Sequence, residues 1–135
     1  MIINPSSEKR LAKVHPALVR VVRRCARDWP DPETGWIITC GIRTLEEQRR
    51  LVAAGASKTM RSRHLPGKTT GLSHAVDFAC TIDGKVRWDW PLYSILAKRM
   101  KAAATAEKVP IEWGGDWPRF RDGPHFQLPW ATFPG

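Results

Sequence analysis

Leu11, Val14, Leu18, Val21, Val22 and Cys25 recur at intervals of three and four residues, the spacing of one helix face. Ser6 and Ser7 stand ahead of this stretch as candidate caps, and Pro16 lies inside it. A proline inside a helix removes one hydrogen bond and clashes with the preceding turn. The pattern therefore predicts a kinked helix or two pieces, ended by Trp29-Pro30-Asp31-Pro32. Trp36-Ile37-Ile38-Thr39-Cys40 is short, apolar and β-branched, which predicts a buried strand. Gly41-Ile42-Arg43 turns the chain into a second helix, opened by a Thr44–Glu47 capping box and stopped at Gly55.

Residues 56–73 are rich in Ser, Thr, Gly and basic side chains and have no sustained period. That predicts a long loop, and such loops in compact domains often carry function. Ala75 to Ile82 reads as a second strand, and Asp83-Gly84 as a tight turn into Val86-Arg87-Trp88. Pro91 suits the first turn of a third helix, with Leu92, Ile95, Leu96, Met100 and Ala103 as its apolar face and Pro110 as its stop. Ile111–Trp113 and His125–Leu128 read as further short strands, separated by the Gly114-Gly115 break. Helices and strands alternate without regular βαβ units. The expected class is α+β, a small and mainly antiparallel sheet packed with helices. The 135 residues suffice for one domain, 1–135, without internal repeats.

Composition narrows the partners. A net charge of +9 favours a polyanion: nucleic acid, anionic lipid or an anionic cell wall. No RNA-binding aromatic motif, paired-Cys finger or basic zipper is present, so no nucleic-acid partner is expected. No apolar stretch approaches a membrane span, and Met1 to Pro5 lacks the pattern of a signal peptide. The expectation is synthesis in a reducing compartment without stable membrane insertion. Cys25, Cys40 and Cys80 are widely spaced, which predicts no zinc ribbon, redox dithiol or disulfide framework. Cys40 and Cys80 lie in apolar runs and are expected in the core.

Four histidines are available for chemistry: His15, His64, His74 and His125. His15, on the first helix, reads as structural. Asp77 sits inside the apolar run Ala75-Val76-Asp77-Phe78-Ala79. A buried carboxylate is costly unless paired or metal-bound, although strand alternation could simply turn it to water. Two histidines and one carboxylate make a common open zinc site. A second acid such as Asp122, three residues before His125, could take the proton of an attacking water.

Ser62-Arg63-His64, Gly67, Ala75-Val76-Asp77 and Asp122-Gly123-Pro124-His125 together resemble the pattern of a zinc peptidase family. That family includes phage L-alanyl-D-glutamate endopeptidases, D-alanyl-D-alanine carboxypeptidases and vancomycin-resistance D,D-dipeptidases. Gly41-Ile42-Arg43-Thr44 with Glu47 and Gln48, and the run Glu112-Trp113-Gly114-Gly115-Asp116-Trp117, resemble its endolysin-like branch. The resemblance spans about Val14 to Leu128. It implies a hedgehog/DD-peptidase-like α+β fold, zinc (Zn2+) ligands at His64, Asp77 and His125, and Asp122 as general base and acid. It also implies that Arg43 stabilises the substrate carbonyl or oxyanion, the alternative being a surface ion pair with Glu46 or Glu47. Ser62, Trp113 and Trp117 are candidate substrate contacts; core and edge packing is the ordinary role of most of the seven tryptophans, and a groove wall for a glycan or peptide stem is the functional alternative for Trp113 or Trp117.

The implied enzyme is a monomeric peptidoglycan endopeptidase, a phage or prophage endolysin acting at the wall once the membrane is opened. The implied bond joins L-alanine to D-glutamate. One departure stands out: twelve residues, Leu65 to Val76, separate His64 from Asp77, about twice the family spacing. It makes His74 a rival ligand, although only His64 carries the Ser-x-His-Leu context. A D-alanyl-D-alanine carboxypeptidase would need a pocket for a terminal carboxylate, for which Arg61, Arg63 and Arg121 are candidates. A non-catalytic wall-binding module would need no complete site.

Overall fold

Pro16 divides the first amphipathic stretch into two helices in the computed structural model, which describes residues 1–135. These are α1 (Pro5–Leu11) and α2 (Pro16–Arg27). Asn4 caps α1 by accepting from Ser7 N at 2.8 Å, so neither Ser6 nor Ser7 is the cap. Ser7 is instead buried, and its Oγ accepts from Ile38 N at 2.8 Å, tying the helix to the first strand. His15 caps α2, its Nδ1 accepting from Ala17 N.

The sheet is built on β2 (Ala75–Ile82), with β1 (Thr34–Cys40) along one side. β3 (Lys85–Arg87) and β5 (His125–Gln127) share its other side, and β4 (Glu112–Trp113) pairs with β5. All pairings are antiparallel. The turn from β2 to β3 has φ of +50° at Asp83 and +77° at Gly84. Positive φ at both central residues is the geometry whose twist matches a two-residue hairpin. On β1 the register slips between Ile38 and Cys40, so Thr39 is an extra residue and Cys40 lands opposite Asp77. On the other side of β2, His125 lands opposite Asp77. The end of β1 and the start of β5 thus flank Asp77 from its two sides.

α3 (Leu45–Ala53) opens with the expected capping box, Glu47 N donating to Thr44 Oγ1 and Thr44 N to Glu47 Oε1. α4 (Trp90–Glu107) ends at Lys108, whose φ is +58°, ahead of Pro110. Its buried face is Tyr93, Leu96, Ala97, Met100, Ala103 and Ala104, and Ile95 is exposed rather than buried. The face is rotated because the Tyr93 hydroxyl accepts from Cys80 N and donates to Arg87 O, which fixes the helix on the β2–β3 hairpin.

The core lies between the sheet and helices α2 and α4, with Leu18, Val22, Ile38, Leu96 and Met100 wholly buried. Phe78 makes edge-to-face contacts with Trp36 and Phe126. Each such ring contributes about 1.5–3 kcal/mol by leaving water. Burial pushes the thiols of Cys25 and Cys80 up to about 12. Cys40 is not a core residue: it is half-buried at the end of β1. No helix is long and apolar enough to cross a membrane.

Candidate active site

Val76 and Phe78 point into the core, so alternation turns Asp77 to the opposite face of β2. It does not meet open water there, for its side chain is only 21% exposed. Its Oδ2 lies 3.1 Å from His64 Nε2 and its Oδ1 lies 3.0 Å from His125 Nδ1. His125 is delivered by the strand register. His64 comes from the long loop, where its N–H donates to Ser62 Oγ and its carbonyl accepts from Arg43 N.

Each imidazole is tied at its far nitrogen to an oxygen. His64 Nδ1 lies 2.7 Å from the Gly41 carbonyl, and His125 Nε2 lies 2.7 Å from Gln127 Oε1. Both oxygens are acceptors, so each far nitrogen carries a proton. In the neutral rings the near nitrogens then aim lone pairs at the Asp77 carboxylate. His64 Nε2 is buried and has no hydrogen-bond partner. Two lone pairs and a carboxylate facing one another call for a cation, and backbone or amide oxygens behind the rings are the usual support of metal-binding histidines. Burial opposes charge on His64, yet Asp77 outweighs it and pushes its pKa up to about 10. Burial would raise Asp77, but His64 and then His125 hold it well below the usual carboxylate range. The pocket demands positive charge.

Two overlapping triads of donors could hold a metal ion, each with ligand atoms within 4.8 Å of one another: Cys40, His64 and Asp77, and Asp77, Asp122 and His125. Asp77 joins them. His64 and His125 sit in different triads, with ring centroids 5.1 Å apart at 74°. Burial, and then the negative charge of Asp77, raise the Asp122 carboxyl above its ordinary value.

Arg43 enters the same site. Its Nη2 lies 3.9 Å from Asp77 Oδ2 and donates to Cys40 Sγ at 3.5 Å. It forms no ion pair with Glu46 or Glu47; its Nη1 donates to Gln48 Oε1 at 2.7 Å. Gln48 is wholly buried, and its Nε2 donates to Ser57 Oγ and the Thr59 carbonyl. In the motif reading Gln48 only accompanied Arg43, without a role of its own. The visible signal was a polar residue on the inward face of α3, five positions after Arg43. Cys40 was likewise missed as a site neighbour; its Sγ lies 3.6 Å from His64 Nδ1.

The other candidates separate. Trp117 packs on His125, ring centroids 5.1 Å apart, and lines the groove in front of the site together with Ser62. Trp113 is 8% exposed, stacks on Phe126 and donates from Nε1 to Gly123 O at 2.7 Å. Trp113 is a packing residue and not a groove wall. His74 points away from Asp77, its ring packed against His15 with centroids 5.1 Å apart and planes tilted by 45°. The inserted residues form their own turn, Gly71 N donating to Gly67 O, so the longer spacing bulges outward without moving His64 from Asp77.

The groove has a volume of about 960 Å³ and includes Arg43, Lys58, Arg61, Arg63, Arg119 and Arg121 in its lining. Two of the arginines suggested for a terminal-carboxylate pocket are committed to backbone. Arg63 donates to the Leu128 and Phe133 carbonyls, and Arg121 Nε to the Gly115 carbonyl. Arg61 and Arg63 both stack on Trp130.

An antiparallel sheet that brings two histidines, two acids and an arginine to one open groove defines a peptidase class. The chain belongs to the phage L-alanyl-D-glutamate peptidase family, peptidoglycan endopeptidases of the endolysin kind, whose sequence profile matches residues 2–128. It is 44% identical over 87 residues to the L-alanyl-D-glutamate peptidase of Listeria phage A118, covering 64% of this chain and 28% of that protein. It is 31% identical over 134 residues to the enzyme of the same name from Escherichia phage T5, covering 96% and 90%. The crystal structure of the Serratia marcescens L-Ala D-Glu endopeptidase ChiX superposes with a TM-score of 0.82 at 39% identity, covering 97% of this chain and 92% of that one.

Proposed function

We propose that residues 1–135 form one zinc-dependent catalytic domain that hydrolyses the L-alanyl-D-glutamate amide of the peptidoglycan stem. The reading rests on Asp77, whose two oxygens face Nε2 of His64 and Nδ1 of His125 while each ring is tied by its other nitrogen. His64, Asp77 and His125 would hold the metal. Nitrogen and carboxylate donors suit zinc and also other divalent ions. When bound, zinc polarises the scissile carbonyl and makes a water acidic enough to attack near neutral pH.

The chain's own groups do the rest. Asp122 takes the proton from the attacking water and returns it to the leaving amide nitrogen. Burial beside Asp77 makes its carboxylate a stronger base than an exposed aspartate. Arg43 donates to the carbonyl oxygen as negative charge develops there, held in aim by Gln48. Trp117 and Ser62 flank the substrate chain. The enzyme works as a monomer, made in the bacterial cytoplasm and reaching the wall after the membrane is permeabilised.

Digestion of purified peptidoglycan with mass mapping of the new termini tests the reading. New L-alanine carboxyl and D-glutamate amino termini are expected, together with one zinc per chain by metal analysis. Free D-alanine as the only product would assign the chain to carboxypeptidase chemistry. Turnover that survives exhaustive chelation would remove the metal from the mechanism.

A further inference from the structure

Phe120 has a φ of +52°, a left-handed backbone that is strained for an aromatic residue. Its ring is 69% exposed, more than any tryptophan of the chain. It lines the groove two residues before Asp122 and three after Trp117. Lys58, on the loop across the groove, places its Nζ 5.7 Å from the ring centroid. A strained turn that holds an apolar ring out into water contributes nothing evident to folding. Such outliers gather where a ligand is gripped.

The chemistry of the substrate says what meets this ring. In peptidoglycan the L-alanine of the stem is joined to the sugar through a lactyl group. The L-alanyl-D-glutamate bond is therefore the second acyl link from the glycan. At about 3.3–3.6 Å per residue, the sugar lies roughly 7 Å along the chain from the reacting carbon, within reach of the groove rim. A pyranose offers an apolar C–H face and a rim of hydroxyl and acetamido groups. An exposed aromatic face flanked by cationic donors, here Phe120 with Arg119 beside it in the chain and Lys58 opposite, matches both kinds of surface.

We propose that Phe120 is a sugar-binding platform that makes the enzyme select stems still attached to the glycan strand. The proposal rests on the peptidase reading for its substrate, but it can be tested without turnover.

The first experiment measures binding of wild type and Phe120→Ala to peptide-free glycan strands stripped of teichoic acid, at an ionic strength high enough to screen the lactyl carboxylates that remain. The variant should bind about tenfold more weakly, the size of one aromatic contact. The second compares kcat and KM on glycan-linked stems and on the free stem peptide. Phe120→Ala should raise KM about tenfold on the linked substrate and leave the free peptide within about twofold. Phe120→Trp should restore the preference. Phe120→Gly should raise the melting temperature by relieving the backbone while losing glycan binding. Equal glycan binding by wild type and Phe120→Ala, or equal losses on both substrates, would overturn the proposal. Phe120-dependent glycan binding by a wild type that cleaves no stem would instead overturn the peptidase reading and leave this one standing.

Discussion

Gln48 Oε1 accepts a hydrogen bond from Arg43 Nη1 at 2.7 Å, and Gln48 itself is sealed from solvent. A buried amide with all its partners made is a fixed point, so the guanidinium above it is held in one orientation. The amide is anchored in turn to Ser57 and Thr59, at the start of the loop that leads to His64. One side chain thus ties the arginine to the loop that carries an imidazole. Gln48→Leu keeps the volume but removes all three side-chain bonds. It should lower kcat about tenfold or more, a fraction of what an aimed oxyanion donor is worth. Metal content should stay at one per chain. In a double-mutant cycle, Gln48→Leu should cost little more once Arg43 is already Ala, because it acts through that arginine.

Asp122 and the proposed ligands should separate cleanly. Asp122→Ala leaves His64, Asp77 and His125 untouched, so zinc should still bind with near-native stoichiometry. Hydrolysis of the stem should fall by roughly 10²–10⁴, the usual contribution of a positioned acid–base group. His125→Ala should lose both metal and turnover. Removing metal from the wild type should lower its melting temperature, and returning zinc should restore it, with a further rise that follows the logarithm of the free zinc concentration. Calorimetry with and without chelator, beside metal analysis of each variant, measures both effects.

The His15–His74 pair predicts acid sensitivity that arises outside the proposed metal ligands. Burial, then Arg63, then His15 lower the pKa of His74 to about 4, and burial with Arg20 and Arg63 lowers that of His15. The unfolded chain titrates near the ordinary value of 6.5. Between those limits the unfolded state binds more protons than the folded one, so protonation favours unfolding. Stability from this pair is fully present above pH about 6.5 and is lost as pH falls toward 4. Its size for His74 is on the order of 2 kcal/mol. Urea unfolding of the metal-free protein across this window should show the slope, and His74→Gln should flatten it.

Strand periods, the Thr44–Glu47 box and the Asp83-Gly84 turn were readable because each is a local device whose chemistry sits within a few residues. The convergence of His64, Asp77 and His125 was readable only through a resemblance, since spacing says nothing about which distant stretches pair. What escaped was set by tertiary contacts. Ser7 looked like a cap until Ile38 claimed its hydroxyl. Ile95 looked buried until Tyr93 fixed the rotation of α4. Cys40 looked like core because its run is apolar, but the bulge at Thr39 brings it opposite Asp77. Trp113, beside the Gly-Gly break, could pack or wall the groove as far as the sequence went, and its indole points inward to Gly123.

That Gly-Gly break sets the place of the proposed base. A Cβ built on Gly114 would lie 2.3 Å from the Asp122 carbonyl oxygen and 3.0 Å from Asp122 Cβ. Asp122 N also donates to the Gly114 carbonyl at 3.0 Å. The two segments touch backbone to backbone, and the obstacle is main chain that cannot swing aside. Gly114→Ala must therefore push the Asp122 segment away, while His125, held in register by Asp77 across the strands, stays close to its place. The expected result is a protein less stable by about 1–3 kcal/mol, the usual cost of overpacking a tight contact. It should still bind zinc, and its kcat should fall toward that of Asp122→Ala. Gly55→Ala, at a left-handed helix end with open space around it, serves as the control. It should lose stability alone, with kcat unchanged. Equal kcat for Gly114→Ala and wild type would mean that the position of Asp122 does not govern the proton transfer.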